Sequence, residues 1–170
     1  NIIDGIRDVK DGDIIIGIPS VSAHTNGYSM IRRIHELNPI PEDILKWFCN
    51  PHKSYYSEIN ELNKAGIKIN ALCHVTGGGL IENPPRVLKE ELKIIFEIKM
   101  HKYFKKIQEL GNVSDMEMYK TFNCGVGMLV FVEKKDIIDV LEILNKFPLG
   151  AFLCGKVYKR ENNDEQITFI

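Results

Sequence analysis

Two rhythms of apolar residues alternate along this chain, one of strand period and one of helical period. Ile14–Ile15–Ile16–Gly17–Ile18 is an apolar run rich in β-branched residues, entered through the turn residues Lys10–Asp11–Gly12–Asp13 and closed by Pro19–Ser20. It predicts a strand covered on both faces. From Tyr28, the residues Met30, Ile31, Ile34 and Leu37 recur at helical spacing, with Arg32, Arg33 and Glu36 on the other side and Pro39 ending the helix. A second helical segment is expected from Asp43 to Cys49, with Trp47 and Phe48 in the core. A third follows Pro51, carrying Tyr55, Ile59 and Leu62 on one stripe and Gly66 as its C-terminal cap. Ile67 to Cys73 then reads as a strand.

The second half repeats the two periods without repeating a unit. Leu92 to Ile98 predicts a strand, and Tyr103, Phe104, Ile107 and Leu110 a helix stopped by Gly111. Ser114 with Glu117 three residues on reads as a capping box before a short helix. Gly125 to Val132 predicts a strand, Asp136 to Asn145 a helix with Ile137, Val140, Leu141 and Leu144 inward, and Phe152 to Tyr158 and Gln166 to Ile170 the closing strands. Irregular alternation without a repeat, linker or low-complexity tract points to one α+β unit.

Composition narrows the function classes. At 170 residues and 44% hydrophobic, the chain suffices for one domain with a real core. Lys and Arg total 22 against 23 Asp and Glu, a net charge of −1 that offers no footprint for nucleic acid or anionic lipid, so neither partner is expected. Cys49, Cys73, Cys124 and Cys154 are spread singly, as expected of reduced, mostly buried thiols. No apolar stretch approaches the roughly 20 residues of a membrane span, and no signal-peptide pattern opens the chain. A cytoplasmic protein is expected. The chain opens at Asn1 rather than Met, so residues upstream are expected.

Two stretches concentrate chemistry. His74 to Arg86 places Gly77–Gly78–Gly79 directly after a strand, with Glu82, Asn83 and Arg86 close behind. A glycine run lets successive backbone N–H groups approach an anion, although it also serves as a plain turn. It matches neither the dinucleotide G-x-G-x-x-G nor the P-loop pattern. Ser20 to Gly27 gathers hydroxyls, the His24 imidazole and the Asn26 amide between the first strand and the first long helix. His35 and His101 read as solvated, and His74 as buried with a hydrogen bond. Nowhere does metal-ligand spacing occur, and no metal site is expected.

Three stretches in order carry a resemblance. His74 to Leu88 reads H-V-T-G-G-G-L-I-E-N-P-P-R-V-L and resembles the signature of the aminoimidazole ribonucleotide synthetase family, also called phosphoribosylformylglycinamidine cyclo-ligases. Ser20 to Ser29 is similar to that family's S-S-G-x-H-S-N-G-Y-S, and Met118 to Met128 to its M-Y-x-T-F-N-x-G-V-G-M. There are departures: Val21–Ser22 stands for Ser-Gly, Thr25 for a serine, and His52 for the threonine of P-T-R/K-I-Y. His52 is given no role.

The resemblance covers only the family's C-terminal half. It implies a three-layer α/β/α domain with a mixed sheet and partly ferredoxin-like topology. It further implies ATP-dependent closure of formylglycinamidine ribonucleotide to aminoimidazole ribonucleotide in purine biosynthesis. ATP and Mg2+ belong to an N-terminal domain absent here, the full-length protein is a homodimer, and this half alone is expected to be inactive. Other ATP-dependent members of the superfamily, of the formylglycinamidine ribonucleotide synthase, selenophosphate-forming or thiamine-phosphate kinase type, and a non-catalytic phosphate-binding module, stay open as alternatives.

With the resemblance, each residue acquires an expected part. Gly77, Gly78 and Gly79 hold the substrate 5′-phosphate or the transferring phosphoryl group, or else form a structural turn. His24 supplies acid–base catalysis or orders its loop. Thr25 and Asn26 hydrogen-bond substrate or stabilise the turn. Glu82 orients substrate amines or caps a short helix. Asn83 presents its side chain to a ligand, Arg86 pairs with phosphate or forms a salt bridge, and Asn123 reaches the cleft or satisfies a loop carbonyl.

Overall fold

Strand β1 (Ile14–Pro19) runs through the middle of a six-stranded sheet, and its burial explains its composition. In this computed structural model, which describes residues 2–161 and 163–170, the other strands are β2 (Ile69–His74), β3 (Leu92–Phe96), β4 (Val126–Val132), β5 (Phe152–Lys159) and β6 (Ile167–Phe169). Their order is β2-β4-β1-β5-β3-β6. All neighbours are antiparallel except β3 and β6, which pair in parallel, so the sheet is mixed as expected.

Helices α1 (Gly5–Asp8), α2 (Tyr28–Leu37), α3 (Glu42–Phe48), α4 (Tyr56–Lys64), α5 (Gly79–Glu82), α6 (Lys102–Gly111), α7 (Asp115–Thr121) and α8 (Ile137–Leu144), with two 3-10 turns (Pro84–Val87 and Lys134–Asp136), complete the described elements. Ile15, Leu129 and Phe131 face one core with Ile31, Ile34, Ile44, Phe48, Phe104, Ile107 and Met118 of α2, α3, α6 and α7. Ile16, Ile18, Val130 and Val132 face the other, with Leu62 of α4 and Val140 and Leu144 of α8. Alternate residues of the central strands thus enter opposite cores, which is the three-layer α/β/α arrangement. Beyond β1, toward β5, this second face is less covered, and Leu153 is 52% exposed there.

Local differences from the sequence reading have physical causes. Gly111 does not stop α6; it is the last helical residue, and Asn112 caps in the left-handed region at φ 46°. Glycine is required there because an added Cβ would lie 2.5 Å from Ile34 Cδ1, where α2 and α6 cross. Ser114 does cap α7 by accepting from Glu117 N, but the Glu117 carboxylate accepts from Thr121 Oγ1 at 3.2 Å instead of completing the box. His101 is not solvated: it N-caps α6 and stacks on Trp47 with ring centroids 4.7 Å apart. His74 is the reverse case, expected buried and found exposed at the end of β2. The two shortest helices, α1 and α5, are below the length at which hydrophobic periodicity signals a helix.

Candidate functional site

The loop leaving β1 is held in a costly shape by many tethers. His24 and Thr25 both occupy the left-handed region, at φ 51° and 63°, each costing roughly 1–3 kcal/mol for a non-glycine residue. Asn123 opposes that cost: its Nδ2 donates to Ser22 O and its Oδ1 accepts from Ser20 Oγ and Gly125 N, each at 2.9 Å. Ser22 Oγ accepts from His24 N at 3.3 Å, and Asn50 Nδ2 donates to Val21 O at 3.2 Å. The His24 carbonyl receives Thr25 Oγ1 at 2.6 Å and Asn26 Nδ2 at 2.7 Å. Gly27 then turns into α2 at φ 76°, where an added Cβ would lie 2.0 Å from the Phe122 ring.

The glycine run divides its three residues between contact and solvent. Gly79 is buried at φ 56°, and a Cβ there would come 2.2 Å from Tyr119 O and 2.7 Å from Phe122 O, so it permits α5 to lie against the end of α7. Its N–H donates to Thr76 O at 3.0 Å. Gly77 is exposed and Gly78 half-buried, and among the described residues their N–H groups meet no acceptor. Asn83, buried beneath the turn, accepts from Thr76 N at 2.6 Å and donates to Gly77 O at 2.7 Å. The two loops touch, since a Cβ on Gly77 would lie 2.9 Å from Asn26 Oδ1.

An imidazole cluster joins them. His24 is 0% exposed and its Nδ1 lies 3.1 Å from Val75 O, the carbonyl just before the glycine turn. A carbonyl only accepts, so Nδ1 carries the proton and Nε2 the lone pair. Burial holds this imidazole down to about 4, with the facing His52 and His74 adding to the effect and the Val75 hydrogen bond opposing it. Tyr55 donates to Pro19 O at 3.0 Å and places its oxygen 3.4 Å from His24 Nε2; burial first, then Glu58, pushes its phenol up. The His52 and His74 rings lie 4.5 and 5.1 Å from that of His24, and both are exposed. Burial, with His52 adding, lowers His74.

His24, Thr25, Asn26, Gly77 and Gly78 are therefore brought to one place. One expectation changes, and two narrow to one of the alternatives offered. His24, offered as a proton-transfer residue or as ordering its loop, has no solvent contact in this geometry and ties the two loops together. Asn83, expected to face a ligand, and Asn123, whose other reading was a loop carbonyl, have both ends of their amides committed inside the protein and act as clamps. Glu82 is exposed beside Gly78, with Oε2 2.8 Å from where a Cβ on Gly78 would stand. Arg86 is exposed on a 3-10 turn (Pro84–Val87), and its charge acts on Cys73, whose side chain enters the core on the side of β2 away from His74.

His52, Ser22 and the Tyr55 hydroxyl are site residues that sequence reasoning missed. The signals were present: His52 and Ser22 both stand where the family pattern differs. Among the described residues, no group of three or more His, Cys, Asp or Glu side chains is placed to hold a metal ion. No described helix is long and apolar enough to cross a membrane.

Comparison with known proteins agrees with the motifs. The chain is 40% identical over 172 residues to the phosphoribosylformylglycinamidine cyclo-ligase of Finegoldia magna (strain ATCC 29328 / DSM 20472 / WAL 2508), covering 95% of this chain and 50% of that protein. It thus spans about half the length of the curated relative it matches. Among solved structures, a hydrogenase maturation protein HypE superposes with a TM-score of 0.73 at 16% identity, over 98% of this chain and 51% of that one. The HypE of E. coli gives 0.70 at 20% identity, over 99% and 49%. Those two likenesses show the fold alone. The family described as "AIR synthase related protein, C-terminal domain" matches residues 10–167, and the chain belongs to that family.

Proposed function

We propose that this chain is one wall of the active site of a cytoplasmic enzyme that closes formylglycinamidine ribonucleotide to aminoimidazole ribonucleotide at the expense of ATP, in purine biosynthesis. The observation that carries this reading is the 40% identity to a cyclo-ligase across 95% of the chain. The contact between the histidine loop and the glycine turn supports it, because a sugar phosphate needs amide donors and orienting polar groups on one surface.

In this reading ATP supplies the phosphoryl group that makes the amide-type oxygen a leaving group. Magnesium and nucleotide ligands come from a further domain, and a second copy completes a homodimer. This chain's part is positioning, which dominates phosphoryl chemistry. The Gly77 and Gly78 amides receive a substrate phosphate, Thr25 and Asn26 orient the ribonucleotide, and Glu82 faces its amines. His24 is a positioning residue: through Val75 it fixes the strand end from which the glycine turn departs. Asn83 and Asn123 keep the two loops in shape.

The test is turnover by the full-length protein, reading ADP release and ring-closed product together. Equal yields are expected, and Gly78→Val, whose side chain at φ 94° would collide with Glu82 and misplace the turn's N–H groups, should lower kcat/KM by about 100-fold. The 170-residue chain alone should release no ADP. Turnover of selenide or thiamine phosphate without ring closure, or ADP release by the lone chain, would overturn the reading.

A further inference from the structure

The rim of the site sets two exposed imidazoles on one side and the Glu82 carboxylate, beside Gly78, on the other. His52 and His74 are both exposed, their ring centroids 5.8 Å apart, and each packs on the buried His24. His24 from the loop after β1 and Tyr55 from the segment before α4 pack against the pair, Lys53 lies over the Tyr55 ring, and Glu82 of α5 stands beside Gly78. Glu58 is buried and already paired with Lys53. Among the described residues, no carboxylate lies within ion-pair distance of either exposed ring.

Donor direction sharpens this. The Thr25 hydroxyl gives its proton to the His24 carbonyl, so at 3.4 Å it offers His52 Nε2 only a lone pair. The Nε2–H tautomer of His52 matches that lone pair. Thr25 leads to Asn26, and Asn26 abuts Gly77, whose amide and that of Gly78 are unspent. Donors capable of gaining positive charge thus border neutral donors along one continuous surface.

We propose that His52 and His74, together with the amides of Gly77 and Gly78, bind a phosphate monoester dianion, with one solvent proton taken up by the imidazole pair as it binds. The proposal rests on the phosphate reading above and adds the source of charge. Backbone amides alone bring no net charge to a dianion, whereas an imidazolium makes a charge-assisted bond of about twice the strength of a neutral one. His52 replaces the threonine of the resembling family's pattern, so its contribution distinguishes this chain.

Calorimetric titration of the full-length protein with ribose 5-phosphate, in buffers of differing ionisation enthalpy, tests it. At pH 6.5 wild type should take up a measurable fraction of one proton, the imidazole gain less what the monoester, with a second pKa of about 6, releases on binding as the dianion, and should bind about 10-fold more tightly than at pH 8.5. His52→Thr, a change at an exposed ring, should bind about 5-fold more weakly at pH 6.5 and lose much of the proton uptake. His74→Gln should do likewise, with circular dichroism verifying its fold. Binding without proton uptake, equal in wild type and His52→Thr, overturns this proposal and leaves the phosphate reading standing. Proton-coupled binding of a non-hydrolysable ATP analogue with none of ribose 5-phosphate overturns the monoester assignment. No binding of ribose 5-phosphate at either pH overturns both readings.

Discussion

Acid should unfold this protein by way of His24 before its paired carboxylates matter. The ring is 0% exposed, donates through Nδ1 to Val75 O, and is held down to about 4 against an ordinary 6.5. The unfolded chain therefore binds a proton that the native state refuses between those two values. The resulting stability is complete above about pH 6.5, falls as pH drops through the window, and is gone near pH 4. At about 1.4 kcal/mol per pH unit the full loss is about 3 kcal/mol, and the part lost between pH 7 and pH 5 about 2 kcal/mol. His74 and His101, both lowered chiefly by burial, act in the same direction. Asp8 and Asp164, held low chiefly by their hydrogen bonds to Arg7 and Lys93, lose their contribution at lower pH. Asp13, raised by burial, has the opposite sign. Urea midpoints at half-unit steps from pH 4.5 to 7.5 for wild type and His24→Gln provide the measurement. The variant should be less stable at pH 7 but distinctly flatter across the window. Parallel curves, or an NMR titration placing His24 near 6.5, would refute the reasoning.

Two further substitutions probe the scaffold. Gly79→Ala forces a Cβ to within 2.2 Å of Tyr119 O at a left-handed φ of 56°, and thermal or urea unfolding should show a loss of about 3 kcal/mol or more, from backbone strain and overpacking. A loss below about 1 kcal/mol would show that α5 moves freely against α7. Lys53→Met leaves the buried Glu58 carboxylate without its cation; Oε1 contacts Lys53 Nζ at an angle that makes no hydrogen bond, and Oε2 meets no donor among the described residues. Urea unfolding should show a loss of about 3–5 kcal/mol, most of it restored by adding Glu58→Gln, and equal stability of single and double variants would contradict the pairing.

The main elements were legible because burial on both faces of the sheet wrote long apolar runs into β1 and β4, and helical stripes into α2, α6 and α8. The bulge that places Asn70 between Ile69 and Ala71 in β2 was not, since it depends on the neighbour strand rather than on local pattern. At the site, motif order exposed both loops, yet composition alone does not say which polar groups face inward. Asn83 precedes a proline and looked available; the glycine turn needs a clamp and consumes both of its functional atoms. His52 stood where the chain departs from the P-T-R/K-I-Y pattern, but only the chain's path after α3 carries it to Thr25.

Beside its local bonds, the histidine loop depends on tethers from far along the chain, those of Asn123 to Ser20 and Ser22, about a hundred positions apart, and of Val75 to His24, fifty-one apart. None of them exists until β1, β2 and β4 have met, so the loop cannot template its own shape. The polypeptide must commit most of its loop-closure entropy first. A nascent chain broken before β4 would therefore present His24 as an ordinary solvated imidazole, and the chemistry of this surface arises only with the finished sheet.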